Sequence, residues 1–208
     1  MLLEQFLREL TALPGLTGNE GAVAQYIAEQ FRPLCDEVWV TSTYSVIAHK
    51  KGPGPKVMFA AHLDEIGLMV SCIEKDGCLR MGSVGGVDPR ILPGMRVKVL
   101  GKETLPGVVG AKAPHLLTEK ERSKNYKRDD LFVDLGLPAE KVRQLVEVGD
   151  LIQLETRFVE LQNRRYVTKT ADDRACVTIL YKALQLLQKV QHEADLYFVA
   201  TCQEEIGS

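Results

Sequence analysis

Three short runs carry side chains able to ligate cations or move protons. Ala61-His62-Leu63-Asp64-Glu65-Ile66-Gly67 closes an apolar run. Alternate residues of an extended segment project to one side, so His62 and Asp64 share a face. A carboxylate placed there can accept the second ring N–H of a cation-bound imidazole and fix its tautomer; a satisfied structural histidine is the bland alternative. Ala171-Asp172-Asp173-Arg174 heads a long helical pattern. Acids at a helix start answer to capping and to the macrodipole, yet two in a row followed by Arg also offer a bridging carboxylate with a brace beside it. Cys202-Gln203-Glu204-Glu205-Ile206-Gly207 follows a second apolar run. Its paired carboxylates repel unless a positive group lies between them, or unless they simply form a solvated loop. One as cation ligand and the other as proton carrier resolves the conflict.

The elements that must position these runs fall into three zones. In the first, residues 2–12 form an amphipathic helix with Leu3, Phe6, Leu7 and Leu10 on one stripe, and Pro14-Gly15 breaks it. Thr17 or Asn19 is the expected cap of a second helix bearing Val23, Ile27 and Phe31, ended by Pro33. Strands are expected at Glu37–Ser42 and Ser45–Lys50, and Val57–Ala61 reads as a strand buried on both faces. The second zone packs short strands at Leu68–Ile73, Cys78–Ser83, Met95–Leu100, Val108–Gly110 and Leu131–Asp134. Turn signals at Asp76-Gly77, Gly85-Gly86, Pro93-Gly94 and Pro106-Gly107 separate them, and one helix, Pro138–Val148, interrupts them. Such density suggests a small β-barrel or half-barrel. The third zone returns to strands at Leu151–Val159 and Arg165–Thr168. A long helix from Asp172 to Gln191 follows, its buried stripe read as Cys176, Ile179, Leu180, Ala183, Leu184 and Leu187; the apolar strand Leu196–Ala200 comes last. The order describes an α/β domain, residues 1–67 and 161–208, interrupted by a β-rich insertion, residues 68–160.

Composition narrows the partners. The 208 residues carry 26 Lys+Arg against 28 Asp+Glu, which leaves no basic surface for nucleic acid. The dense charge run Thr118–Asp130 alternates in sign and reads as a solvated loop. No apolar stretch approaches the roughly 20 residues that span a bilayer, and Glu4, Arg8 and Glu9 break any signal-peptide core. Cys35, Cys72, Cys78, Cys176 and Cys202 are scattered, without a C-x-x-C pair, as expected of reduced thiols in a cytoplasmic protein. Neither a G-x-S-x-G elbow nor a phosphate-binding glycine loop occurs.

Six ordered motifs then carry a resemblance. They are Gly18-Asn19-Glu20, His62-Leu-Asp-Glu-Ile-Gly-Leu-Met69, Gly110-Ala-Lys-Ala-Pro-His-Leu-Leu117, Asp130-Leu-Phe-Val-Asp-Leu-Gly136, Asp172-Asp-Arg174 and Gln203-Glu-Glu-Ile-Gly207. In these the chain resembles the co-catalytic metalloaminopeptidase family of glutamyl, deblocking and tetrahedral aminopeptidases. The resemblance implies a phosphorylase/hydrolase-like zinc-peptidase sheet with helices, and an insertion that mediates homo-oligomer formation. It implies two divalent cations, zinc or cobalt first and manganese next, held by His62, Asp172 and Glu205. Asp64 would orient His62, and Glu204 would be the general base for a water attacking peptide substrates. A cis peptide is implied between Asp172 and Asp173.

Two departures stand out. Thr43-Tyr44-Ser45 replaces the Leu-Gly-Asn turn of relatives, and His49, His115 and His192 fall outside any ligand motif. The family's catalytic domain supplies a further carboxylate and a second histidine after the Glu-Glu motif, so the chain is expected to be an N-terminal portion with an exposed sheet edge. A catalytically inactive fragment or assembly module of the same family is the alternative reading. Carbohydrate hydrolysis by a carboxylate pair leaves His62 without a role.

Overall fold

The computed structural model describes residues 1–119 and 124–206. It divides into two compact units, residues 1–65 with 157–208 and residues 66–156.

In the first unit, α1 (Leu3–Ala12) and α2 (Gly21–Phe31) precede β1 (Glu37–Val40), β2 (Val46–Lys50) and β3 (Lys56–His62). After the insertion come the hairpin β10 (Val159–Leu161) and β11 (Arg165–Val167), then α4 (Ala171–Leu187) and β12 (Asp195–Thr201). The main sheet has the order β1-β2-β12-β3, with β12 antiparallel to β2 and parallel to β3. The parallel pair ends in register at Thr201 and His62, so both strands release their chains at one edge of the sheet. Phe6, Leu10, Val23, Ile27, Phe31, Val177, Leu184 and Phe198 fill the core between sheet and helices.

The second unit is a closed six-stranded barrel in the order β4-β5-β8-β7-β6-β9. Its members are β4 (Gly67–Ile73), β5 (Leu79–Val84), β6 (Arg96–Leu100), β7 (Thr104–Ala111), β8 (Leu131–Asp134) and β9 (Leu151–Leu154), with α3 (Ala139–Leu145) inserted before β9. Leu68, Leu79, Val97, Val99, Leu131, Val133 and Ile152 are fully buried inside it.

Several sequence expectations are corrected. The Val57–Ala61 run is an edge strand, not one buried on both faces: Val57, Met58 and Phe59 are exposed, because among the described residues β12 is the one strand that pairs with β3. The buried stripe of α4 is Val177, Leu180, Tyr181 and Leu184, while Cys176 and Ile179 are exposed; either apolar row fits a 3.6-residue period, and packing selects one. Thr17 and Asn19 do not cap α2, whose N-cap is Glu20 with no capping side-chain bond. Pro106-Gly107 lies within β7, where Pro106 pairs with Lys98. A Cβ at Gly107 would approach Val133 and Leu135 to 2.9 Å, so the glycine serves close packing in the barrel wall. The expected Leu151–Val159 strand ends at Leu154, and Val159 instead begins the hairpin with Arg165–Val167. Residues 120–123 of the Thr118–Asp130 run, and Gly207 and Ser208, lie outside the described residues; Lys124, Asn125 and 127–130 are exposed.

Tyr44 holds a left-handed backbone at φ 71, a conformation that glycine adopts at no steric cost. Its N–H donates to Thr41 O at 3.0 Å, and the N–H of Ser45 donates to Thr41 Oγ1 at 3.0 Å, so local bonds enforce the turn.

Candidate metal centre at the strand ends

The parallel strands β3 and β12 end side by side, and ligands of open α/β sheets collect outside such carboxyl ends. His62 is the last residue of β3, with its side chain 10% exposed. Its Nε2 lies 3.2 Å from Asp172 Oδ1 and 3.8 Å from Glu204 Oε2. The adjacent acid Asp173 accepts the His62 backbone N–H at 3.3 Å. The two aspartates therefore reach β3 and do not cap α4. Both depart from helical dihedrals, and the peptide between them is cis.

Asp64 is fully buried, and its carboxylate holds the Glu204–Ile206 turn: Oδ1 accepts the N–H of Glu204 at 3.2 Å and Oδ2 that of Glu205 at 3.0 Å. Oδ1 also lies 3.5 Å from His62 Nδ1, a nitrogen with no hydrogen-bond partner among the described residues. The Gln203 N–H donates to Glu20 at 3.2 Å. Burial is the main influence raising the Glu205 carboxyl above its ordinary range; His62 opposes it, and Glu204, Asp172 and Asp64 add to it. A carboxylate crowded in this way gains from a nearby cation.

Among the described residues, His62, Glu204 and Glu205 each offer one ligand atom within 4.8 Å of the others. Asp172 stands beside this trio through its contact with His62. One imidazole with several carboxylate oxygens gathered around its Nε2 suits a borderline divalent cation.

Arg174 anchors the start of α4 from below. Fully buried, it donates from Nε to Leu63 O and from Nη1 to Leu10 O and Leu13 O, at 2.7 to 2.9 Å. Burial pushes its pKa down, while Glu65 and Asp64 hold it up. Glu65, itself buried, is paired with Lys169 and accepts the Gly15 N–H. The sequence suggests Asp173 or Arg174 as a brace beside Asp172, and assigns no role to Glu20 or Lys169. The motif Gly18-Asn19-Glu20 was the one signal pointing toward Glu20.

The family profile described as M42 glutamyl aminopeptidase matches residues 45–208. Lysyl aminopeptidase of Pyrococcus furiosus is 36% identical over 98% of this chain and 60% of its own length. An aminopeptidase from the archaeon Desulfurococcus kamchatkensis superposes with a TM-score of 0.91 at 36% identity, covering 99% of this chain and 57% of that one. A TET1 peptidase of Pyrococcus horikoshii, described as able to assemble into a tetrahedron or a large octahedral shell, superposes with a TM-score of 0.85 at 32% identity, covering 99% and 62%. The chain thus spans about 60% of the length of the relatives it matches.

Proposed function

Because the chain belongs to the M42 glutamyl aminopeptidase family, we propose that it carries a divalent-cation site of an aminopeptidase that removes N-terminal residues from peptides. The observation that carries this reading is the convergence of His62, Glu204 and Glu205 within 4.8 Å, with Asp172 at 3.2 Å from His62. His62, Asp172 and Glu205 would hold two divalent ions, zinc or cobalt first and manganese next. When bound, such ions polarise a scissile carbonyl and lower the pKa of water from about 15.7 toward about 7.

The chain's own residues supply the rest. Glu204 has a side chain 61% exposed and a backbone tied down by Asp64, so its carboxylate can take a proton from the attacking water and pass it to the leaving amine. Asp64 holds the turn that presents both glutamates and stands beside the His62 ring. The barrel unit, residues 66–156, is assigned to homo-oligomer formation, on the likeness to the shell-forming Pyrococcus horikoshii peptidase. The five free cysteines favour the reducing cytoplasm as its location.

The test is release of p-nitroaniline from leucine- and glutamate-p-nitroanilide with zinc, cobalt or manganese, and again with a chelator. Chelator-sensitive release is expected. Glu204→Gln should keep bound cobalt and lose turnover by about 10²-fold or more, whereas Glu205→Gln should lose cobalt. The opposite pattern would exchange the roles of the two glutamates. Cobalt binding without turnover under any cation would favour a non-catalytic assembly module of the same family.

A further inference from the structure

Glu20 is a fully buried acid at the entry to α2, yet its side chain does not cap that helix. Its Oε1 instead accepts two backbone N–H groups, from Gly18 at 2.8 Å and, 183 residues away, from Gln203 at 3.2 Å. Oε2 has no hydrogen-bond partner among the described residues. The loop that carries Glu20 is fastened to the chain just beyond His62 and Asp64. Thr17 N–H donates to Glu65 O, Glu65 N–H donates to Gly15 O, and Leu16 pairs with Glu65 as a parallel bridge. Gly18, at φ 87, makes the turn that lets the carboxylate fold back.

Opposite this loop, Gln203 adopts a left-handed backbone at φ 59, which L residues other than glycine enter at a cost. It is the residue that turns the chain out of β12 and into Glu204 and Glu205. The three consecutive N–H groups of residues 203, 204 and 205 are therefore held by two fully buried acids, the first by Glu20 and the next two by Asp64.

We propose that Glu20 is a positioning residue for the glutamate pair. Its carboxylate holds Gln203 in the left-handed turn and so sets where Glu204 and Glu205 stand relative to His62. The inference deepens the cation-site reading above and rests on it for the purpose of the pair. A Gln at position 20 keeps an oxygen able to receive both N–H groups, whereas Asp is one methylene too short to reach them and Ala offers nothing.

Three readouts on this chain test the proposal: amide hydrogen exchange at residues 203–205, cobalt titration by absorption, and the urea midpoint. Phe6→Leu, in the hydrophobic core of the same unit, serves as a control for general destabilisation. Glu20→Ala and Glu20→Asp should speed exchange at 203–205 by about tenfold beyond Phe6→Leu. Both should weaken cobalt binding by about 10-fold to 100-fold, with Glu20→Gln staying within about threefold of the parent. Should Glu20→Ala fail to fold, the contrast between Asp and Gln decides. Exchange at 203–205 no faster in Glu20→Asp than in Phe6→Leu overturns the proposal. A parent chain that binds no cobalt sinks the cation reading instead, and the exchange measurement still judges Glu20.

Discussion

Asp64 accepts the backbone N–H of Glu205 at 3.0 Å, joining the segment after β3 to the turn after β12 across 141 residues. The same carboxylate receives Glu204, so one buried side chain fixes the backbone of both glutamates. Asp64→Asn replaces one acceptor oxygen with a donor that faces an N–H group. The expected outcome is a loss of about 1–3 kcal/mol in urea denaturation. Cobalt affinity should fall by about 10-fold to 100-fold in the same protein, read by absorption titration.

Arg174 should be the costliest single site to change. Replacing it with Met strips three carbonyls, Leu10, Leu13 and Leu63, of a charged donor and leaves buried Glu65 with one cation fewer nearby. Breaking a buried charged network of this kind costs about 3–5 kcal/mol, which chemical denaturation will register directly. Arg174→Lys should recover only part of the loss, since an ammonium cannot span all three carbonyls.

Asp195 supplies a pH test away from the cation site. A 2.6 Å hydrogen bond from His49 Nε2, aided by the Gly52 N–H, holds its carboxyl below the ordinary aspartate value. The folded state thus favours the ionised form more than the unfolded chain does. Its stabilisation is complete above the unfolded pKa of about 3.9 and is lost as the pH falls through the depressed folded value. Urea midpoints of the parent and Asp195→Asn should differ near neutrality and converge in acid. A gap that stays constant from neutral pH to below 3.9 would show that the His49 contact is not the source.

The thiols should label in a definite order. Burial pushes Cys35 up to about 12, leaving almost no thiolate at pH 8, whereas Cys72 is exposed on β4. Mass spectrometry after brief iodoacetamide treatment should find Cys72 modified and Cys35 intact by a factor of about ten or more, with the difference abolished in urea.

Local pattern carried much of the architecture. The apolar runs at 57–61 and 196–200 lie in strands, Phe6 and Leu10 of the α1 stripe and the whole α2 stripe are buried while Leu3 stays exposed, and dense turn signals mark a barrel, because period and turn chemistry act within a few residues. Pattern failed where two solutions were locally equal. Ile179 and Val177 both belong to apolar rows of α4, and only the sheet beneath it selects Val177. The Val57–Ala61 run reads as interior from its composition, yet whether a strand is central or at an edge depends on which strands pair with it.

The amino-acid order alone determined which groups were available: an imidazole two residues from a carboxylate, a pair of aspartates at a helix start, and a pair of glutamates past a strand. Folding decided their company. Parallel pairing of β3 with β12 brings His62 level with Thr201, and buried Asp64 and Glu20 then seize the three amides that follow. Those contacts span 140 to 183 residues, so no local rule can contain them. They form because burying a carboxylate is tolerable only when donors converge on it, here backbone N–H groups, and the tertiary fold alone supplies that convergence.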